Sequence, residues 1–276
     1  METGHCRIQI LQNIEHIGTS PALSLRIMEE ASLPDADLTT ISSLLMDDPT
    51  ICAQVLKVAN SVAFYTREKV TTISQAVINL GIENIERILF AIEIIGVFKG
   101  DFSTKKFKEE LFWRRSIAAG FLAIEIGRMK KYSIASETLY ISALIANIGV
   151  LAVRQFLPAE FESIINLMEI NKVDFRTASQ DVIGINQREI TYLIGTRWNL
   201  PDDIVHAIGE GEAIGDENAE QIRTVVDTAE ALLTVRHYAF WDAYCQCQET
   251  VDVESMKELC NMVFDKVDLL YQKLWQ

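Results

Sequence analysis

An all-α fold follows from three features of the 276-residue chain. Apolar residues recur at three-and-four spacing throughout, and no run alternates with period two for long enough to make a strand. Proline is rare, and four of the five prolines (Pro21, Pro49, Pro158 and Pro201) fall where helices start or are separated. From 139 to 153 only Ser142, Asn147 and Gly149 interrupt the apolar character, so a helix there has almost no face suited to water and must be wrapped by others.

Taken in order, the first half carries predicted helices over 6–16, 21–31, 38–46, 49–62, 73–80 and 82–97. Ser20-Pro21 and Asp48-Pro49 each read as an N-cap followed by proline at the first helical position, where the missing N–H has no intrahelical partner to lose. Gly81 ends one helix just before the next begins. Leu44, Leu45, Ile51, Val55, Leu56, Val58, Ala59, Val77, Ile78 and Leu80 supply apolar faces at helical spacing and are expected in a core.

The second half carries predicted helices over 104–130, 136–156, 158–170, 175–183, 187–198, 201–208, 218–238 and 253–273. Asn186 and Glu189 have the spacing of a capping box. Between the halves, the segment 97–108 is short and carries aromatics, which suits a seam between packed lobes and not a flexible linker. The expectation is one unit over 1–276, with an N-terminal helical lobe of about 1–100 and a second helical lobe of about 101–276.

Composition narrows the function. Hydrophobic residues make up 49% of the chain, ample for a core, and the formal net charge of −14 repels phosphate backbones and anionic lipid. The helix pair over 73–90 resembles a helix-turn-helix in outline, but Glu83, Glu86 and Glu93 against Arg87 suit it poorly to DNA. Lys105, Lys106, Lys108, Arg114 and Arg115 form a modest basic cluster, read first as a solvated helix face. The N-terminus lacks a basic flank followed by an apolar run, and the run from Ile88 to Phe98 is broken by Glu93, so a cytoplasmic protein with no membrane partner is expected.

Cys6, Cys52, Cys245, Cys247 and Cys260 show no disulfide framework. Cys245 and Cys247 with Cys260 lack the paired Cys/His spacing of a zinc site, so free thiols in a reducing compartment are expected. His5, His16, His206 and His237 stand singly, without the clustering a site requires.

Short motifs carry a resemblance. Ala143-Leu144 through Ile148-Gly149 is similar to the Leu-x-His-Asp-Ile-Gly signature of HD phosphohydrolases, whose His-Asp pair ligates a catalytic divalent cation. More specifically, Asp48-Pro49, Leu56 with Asn60-Ser61, and Ala76 with Leu80-Gly81 resemble the N-terminal half of the HDOD family. Phe112-Trp113-Arg114-Arg115-Ser116 and Trp198-Asn199-Leu200-Pro201 are similar to that family's Phe-Trp-x-His-Ser and Trp-Gly-Leu-Pro. The resemblance runs from about Ile17 to at least Leu233. It implies an N-terminal helical lobe packed on a degenerate HD-type helical domain.

Carried over residue by residue, the HD ligands are largely gone. The first histidine corresponds to Arg115, a permanent cation, and the His-Asp pair to Ala146-Asn147. A methyl group has no lone pair, and an uncharged amide is a poorer ligand than a carboxylate for a hard cation. The last aspartate corresponds to Glu230, or to Asp227 one turn away, and further family histidines fall at Gln187 and in Gly209-Glu210-Gly211-Glu212. Catalytic residues, metal and cofactor are therefore expected to be none. Arg115 is expected to reach Glu230 or Asp227, with Asn147 beside them, because an acid kept in a partly buried site needs a partner.

The resemblance implies a non-catalytic bacterial signalling scaffold that binds another protein or a small signal, in settings such as two-component or cyclic-dinucleotide signalling. Its expected partners are signalling proteins, with no nucleic acid, and self-association is left open. The alternatives are a residual metal-dependent phosphohydrolase acting on a nucleotide or cyclic nucleotide, and a DNA-binding regulator whose binding would weaken steeply with salt.

Overall fold

A computed structural model describes residues 2–18, 21–33, 36–61, 64, 69–98, 104, 106–210, 216–235 and 256–275. Among them are fifteen helices and no strand. The predicted helix ends at 62, 236–238 and 253–255 lie outside the described residues, as do Ser20, Lys105, His237, Cys245, Cys247, Gly211, Glu212 and residues 99–103 of the seam.

The chain divides into two compact units between Val97 and Phe98. One comprises Met1–Ser20 and Phe98–Cys260, the other Pro21–Val97 and Asn261–Gln276. The division falls within the predicted seam, but each chain terminus belongs to the unit that sequence order would not assign it. Helix α1 (Glu2–Ile14) packs on α9 (Ile148–Phe156), α11 (Phe175–Ile183) and α12 (Gln187–Arg197), burying Ile10 and Ile14.

The unit of 21–97 and 261–276 holds α2 (Ala22–Ala31), α3 (Leu38–Met46), α4 (Pro49–Ala59), α5 (Ile73–Leu80), α6 (Ile82–Val97) and most of α15 (Lys257–Trp275). Asp48 caps α4, accepting from Thr50 N at 2.8 Å and Ile51 N at 3.2 Å, with Pro49 at N1. Thr72 and Gln75 close a capping box on α5, and Gly81, at φ 76°, turns the chain into α6.

Helix α2 departs from the expected pattern. Pro21 is itself the N-cap and has no side chain to offer, so the free amides are met from α6: Glu93 accepts from Leu23 N at 3.2 Å, from Ser24 N at 2.8 Å and from the Ser24 hydroxyl. A carboxylate there also complements the positive end of the helix dipole. Leu45, Ile51, Val55, Val58, Ala59, Val77 and Leu80 are buried as expected, Leu44 and Leu56 are half-buried, and Ile78 is 67% exposed because it lies on the outer face of α5.

The unit of 1–20 and 98–260 is built on α7 (Glu109–Lys130), which packs along α8 (Ser136–Ile145) and α14 (Glu217–Val235). Helix α7 starts five residues later than predicted. Lys108 is extended, and Thr104 N donates to Phe107 O at 2.7 Å in a turn that buries the Phe107 ring against Phe112 and Phe161. Around the core run α9, α10 (Pro158–Asn171), α11, α12 and α13 (Asp202–Ile208). Asn199 takes the left-handed conformation, φ 55°, at the position where the resembled motif has glycine; asparagine is one of the few other residues that tolerate it.

The predicted single helix over 136–156 is two helices, α8 and α9, parted at Ala146-Asn147. By length and composition this is the one stretch among the described residues apolar enough to cross a membrane, and 78% of it is buried inside the protein.

In the basic cluster Lys106, Arg114 and Arg115 form intramolecular pairs, while Lys108 is exposed. Lys106 Nζ reaches Glu169 at 2.5 Å and Asn166 at 2.8 Å, and Arg114 pairs with Glu110 at 3.3 Å. Arg87, buried on α6, is likewise taken by Glu83 at 2.9 Å.

Candidate functional site

Helix α7 is buried along nearly its whole length, including Phe112, Trp113, Ser116, Ile117 and Gly120. Gly120 is required by the close approach of the Tyr140 ring on α8, which an added Cβ would meet at 2.6 Å. An arginine at position 115 of such a helix cannot reach solvent, and its side chain is only 8% exposed.

It is satisfied from α14. Arg115 Nε donates to Glu230 Oε2 at 3.0 Å, Nη2 donates to the same oxygen at 2.6 Å, and Nη2 also donates to the Glu230 carbonyl at 2.9 Å. The guanidinium thus holds both the side chain and the backbone of one residue. With Glu230 itself 21% exposed, the pair lies in surroundings where charge-assisted bonds are strong and a lone charge is costly.

The parting of α8 from α9 has an identifiable cause. Gly149 packs so closely on α12 that a Cβ would lie 2.2 Å from the Gln187 carbonyl oxygen. At that contact Thr191 Oγ1 accepts from Gly149 N at 3.1 Å and faces the Ala146 carbonyl at 3.5 Å. One buried hydroxyl therefore serves backbone groups on both sides of the break. Ala146 is buried, and Asn147, half-buried at φ −108°, forms no hydrogen bond to Arg115 or Glu230. The expectation that Asn147 would join that pair is corrected: it stands at the head of α9, where its carbonyl accepts from Val150 N at 2.9 Å.

The other candidates part company with the pair. Asp227 faces Arg188 of α12 in a short ion pair of its own. Gln187 is the first residue of α12, and its buried Oε1 has no hydrogen-bond partner. Glu210 accepts from Asn186 Nδ2 at 2.6 Å and pairs with Arg176. Asn186 and Glu189 close the capping box on α12, so Asn186 ties that cap to Glu210. Arg176, Arg188 and Thr191 were missed because each acts on a partner far away in sequence.

Glu210 also borders a cavity of about 530 Å³ with Arg7, Leu11, Ile185, Glu189 and Tyr192. Arg7 donates to the Gly184 carbonyl at 2.8 Å, and the Tyr192 ring stacks on His206 with centroids 6.5 Å apart. His206 lies 3.9 Å from Asp216, while His5 and His16 are exposed on or near α1, so none of the three faces the Arg115–Glu230 pair.

These donors do not suit a divalent metal. Glu230 Oε2 is already bound by two N–H groups of a permanent cation, and Ala146 offers no lone pair. Among the described residues no group of three or more His, Cys, Asp or Glu side chains converges.

The arrangement is an all-α fold of the HD type in which Arg115 and Glu230 are bound to each other. The HDOD domain matches residues 17–214, and the chain belongs to that family. A signal-transduction protein from Marinobacter aquaeolei superposes with a TM-score of 0.78 at 19% identity, over 95% of this chain and 60% of its own. An HDOD domain protein of unknown function from Geobacter sulfurreducens gives 0.73 at 20% identity, over 95% and 89%. An uncharacterised protein of Treponema pallidum (strain Nichols) is 24% identical over 210 residues, 75% of this chain and 40% of that protein. The chain thus spans 40% of the Treponema protein and 60% of the Marinobacter protein, less than two thirds of each. The structural likenesses show the fold.

Proposed function

We propose that this chain is a non-catalytic signalling module that recognises another protein or a small signal in the bacterial cytoplasm. The observation that carries the reading is the Arg115–Glu230 pair. A fixed cation stands where the resemblance places a ligand histidine, and it consumes the remaining carboxylate. An HD hydrolase needs several anionic or neutral donors free to converge on a cation, whereas here Glu230 is held by Arg115, Asp227 by Arg188 and Glu210 by Arg176. Membership of the HDOD family and the fold shared with a signal-transduction protein support a place in signalling. Two-component and cyclic-dinucleotide pathways belong to that proposal.

The test is hydrolysis of nucleotides and cyclic nucleotides by the purified full chain with manganese or magnesium, alongside isolation of its native complexes. The reading expects no turnover above a Glu230→Gln control, together with a saturable protein or small-molecule partner. Metal-dependent turnover abolished by Glu230→Gln would replace it with a residual phosphohydrolase.

A further inference from the structure

On α4 lies a groove of about 500 Å³, walled by Leu56, Lys57 and Asn60 on one side and by Lys69, Val70 and Thr71 on the other. Its second wall is fixed in place. The Asn60 carboxamide pairs with the Val70 backbone as a neighbouring strand would, accepting from Val70 N at 2.9 Å and donating to Val70 O at 2.8 Å. The Gln75 side chain then accepts from Thr71 N at 3.0 Å and Thr72 N at 3.3 Å. Lys69 is therefore presented from a segment tethered through Val70 and Thr71.

Both lysines are exposed, and among the described residues neither forms an ion pair. Lys57 stands in the last turn of α4, where a cation also complements the helix dipole. Lys69 lies outside any helix and has no such role. Lys57 and Lys69 line the groove together with the aliphatic side chains of Ala53 and Leu56, in a chain of net charge −14.

We propose that this groove binds an acidic protein segment, with an apolar side chain on Leu56 and flanking carboxylates on Lys57 and Lys69. The inference rests on the reading of the chain as a recognition module and names the chemistry of one partner. Charge complementarity at the groove selects the occupant: Lys57 and Lys69 meet carboxylates, while the aliphatic side chains of Ala53 and Leu56 give a simple anion or a phosphate backbone nothing to bury.

The experiment is fluorescence anisotropy with the full chain and a labelled short peptide of alternating leucine and glutamate. A leucine/glutamine peptide and an oligothymidylate serve as comparison probes. Saturable binding is expected, weakened about tenfold by Lys57→Glu/Lys69→Glu and by glutamine in the peptide, with Lys57→Gln/Lys69→Gln in between. Both lysines are exposed, so circular dichroism should show the variants folded. Equal binding of both peptides, undiminished binding by the charge-reversed variant, preference for the oligothymidylate, or no binding would each overturn the proposal. If a native partner co-purifies equally with wild type and the charge-reversed variant, the groove assignment fails while the signalling reading stands.

Discussion

Replacing Arg115 by methionine keeps an unbranched, apolar side chain at a buried position and removes the guanidinium donors to Glu230. The bonds lost include those to Oε2 at 3.0 and 2.6 Å and to the Glu230 carbonyl at 2.9 Å. Removing one partner of a buried pair costs about 3–5 kcal/mol, most of it from the charge left behind. Glu230 retains 21% exposure and can regain some water, which places the expected loss at the lower end, about 3 kcal/mol. Urea unfolding followed by tryptophan fluorescence is a suitable assay, because Trp113 is fully buried on α7 two residues before Arg115. Parallel circular dichroism would show whether the units unfold together. The double variant Arg115→Met/Glu230→Leu should recover most of the loss, since an apolar pair of similar volume needs no desolvation of charge. A single-variant loss below about 1 kcal/mol, the range of a surface ion pair, would refute the reasoning.

Four further outcomes follow from the structure. Gly149→Ala should cost about 3 kcal/mol in urea titration, because its Cβ would press on the Gln187 carbonyl at 2.2 Å; Thr191→Val, nearly isosteric, should cost about 1–3 kcal/mol by leaving Gly149 N unsatisfied. Asn199→Ala should lower stability by about 1 kcal/mol, while Asn199→Gly should be close to neutral, since only the alanine is penalised at φ 55°. Burial, with the nearby Asp48 charge, pushes the Cys52 thiol above the ordinary range for a thiol, so alkylation by iodoacetamide at pH 8 should be slower than for free cysteine.

Much of the fold is legible because its signals are local. Asp48, Thr72 and Asn186 cap helices within three residues of themselves, and apolar spacing marks the buried faces of α3, α4 and α5. What sequence conceals depends on distant partners. The break at Ala146-Asn147 leaves no trace in hydrophobicity, since both flanking helices are apolar; the hydroxyl that sustains it belongs to Thr191. The cap of α2 comes from Glu93, a residue whose helical periodicity says nothing about its partner. The pairing of Arg115 with Glu230 follows from the electrostatic need of a retained acid, whereas Asn147 faces no such need and stands apart.

The central claim is that protein side chains have taken the place of a metal. Elemental analysis of the purified full chain, after equilibration with manganese and removal of excess ion, tests it most directly. The account predicts substoichiometric metal that is unchanged in Glu230→Gln. A stoichiometric divalent ion that disappears in Glu230→Gln would contradict it.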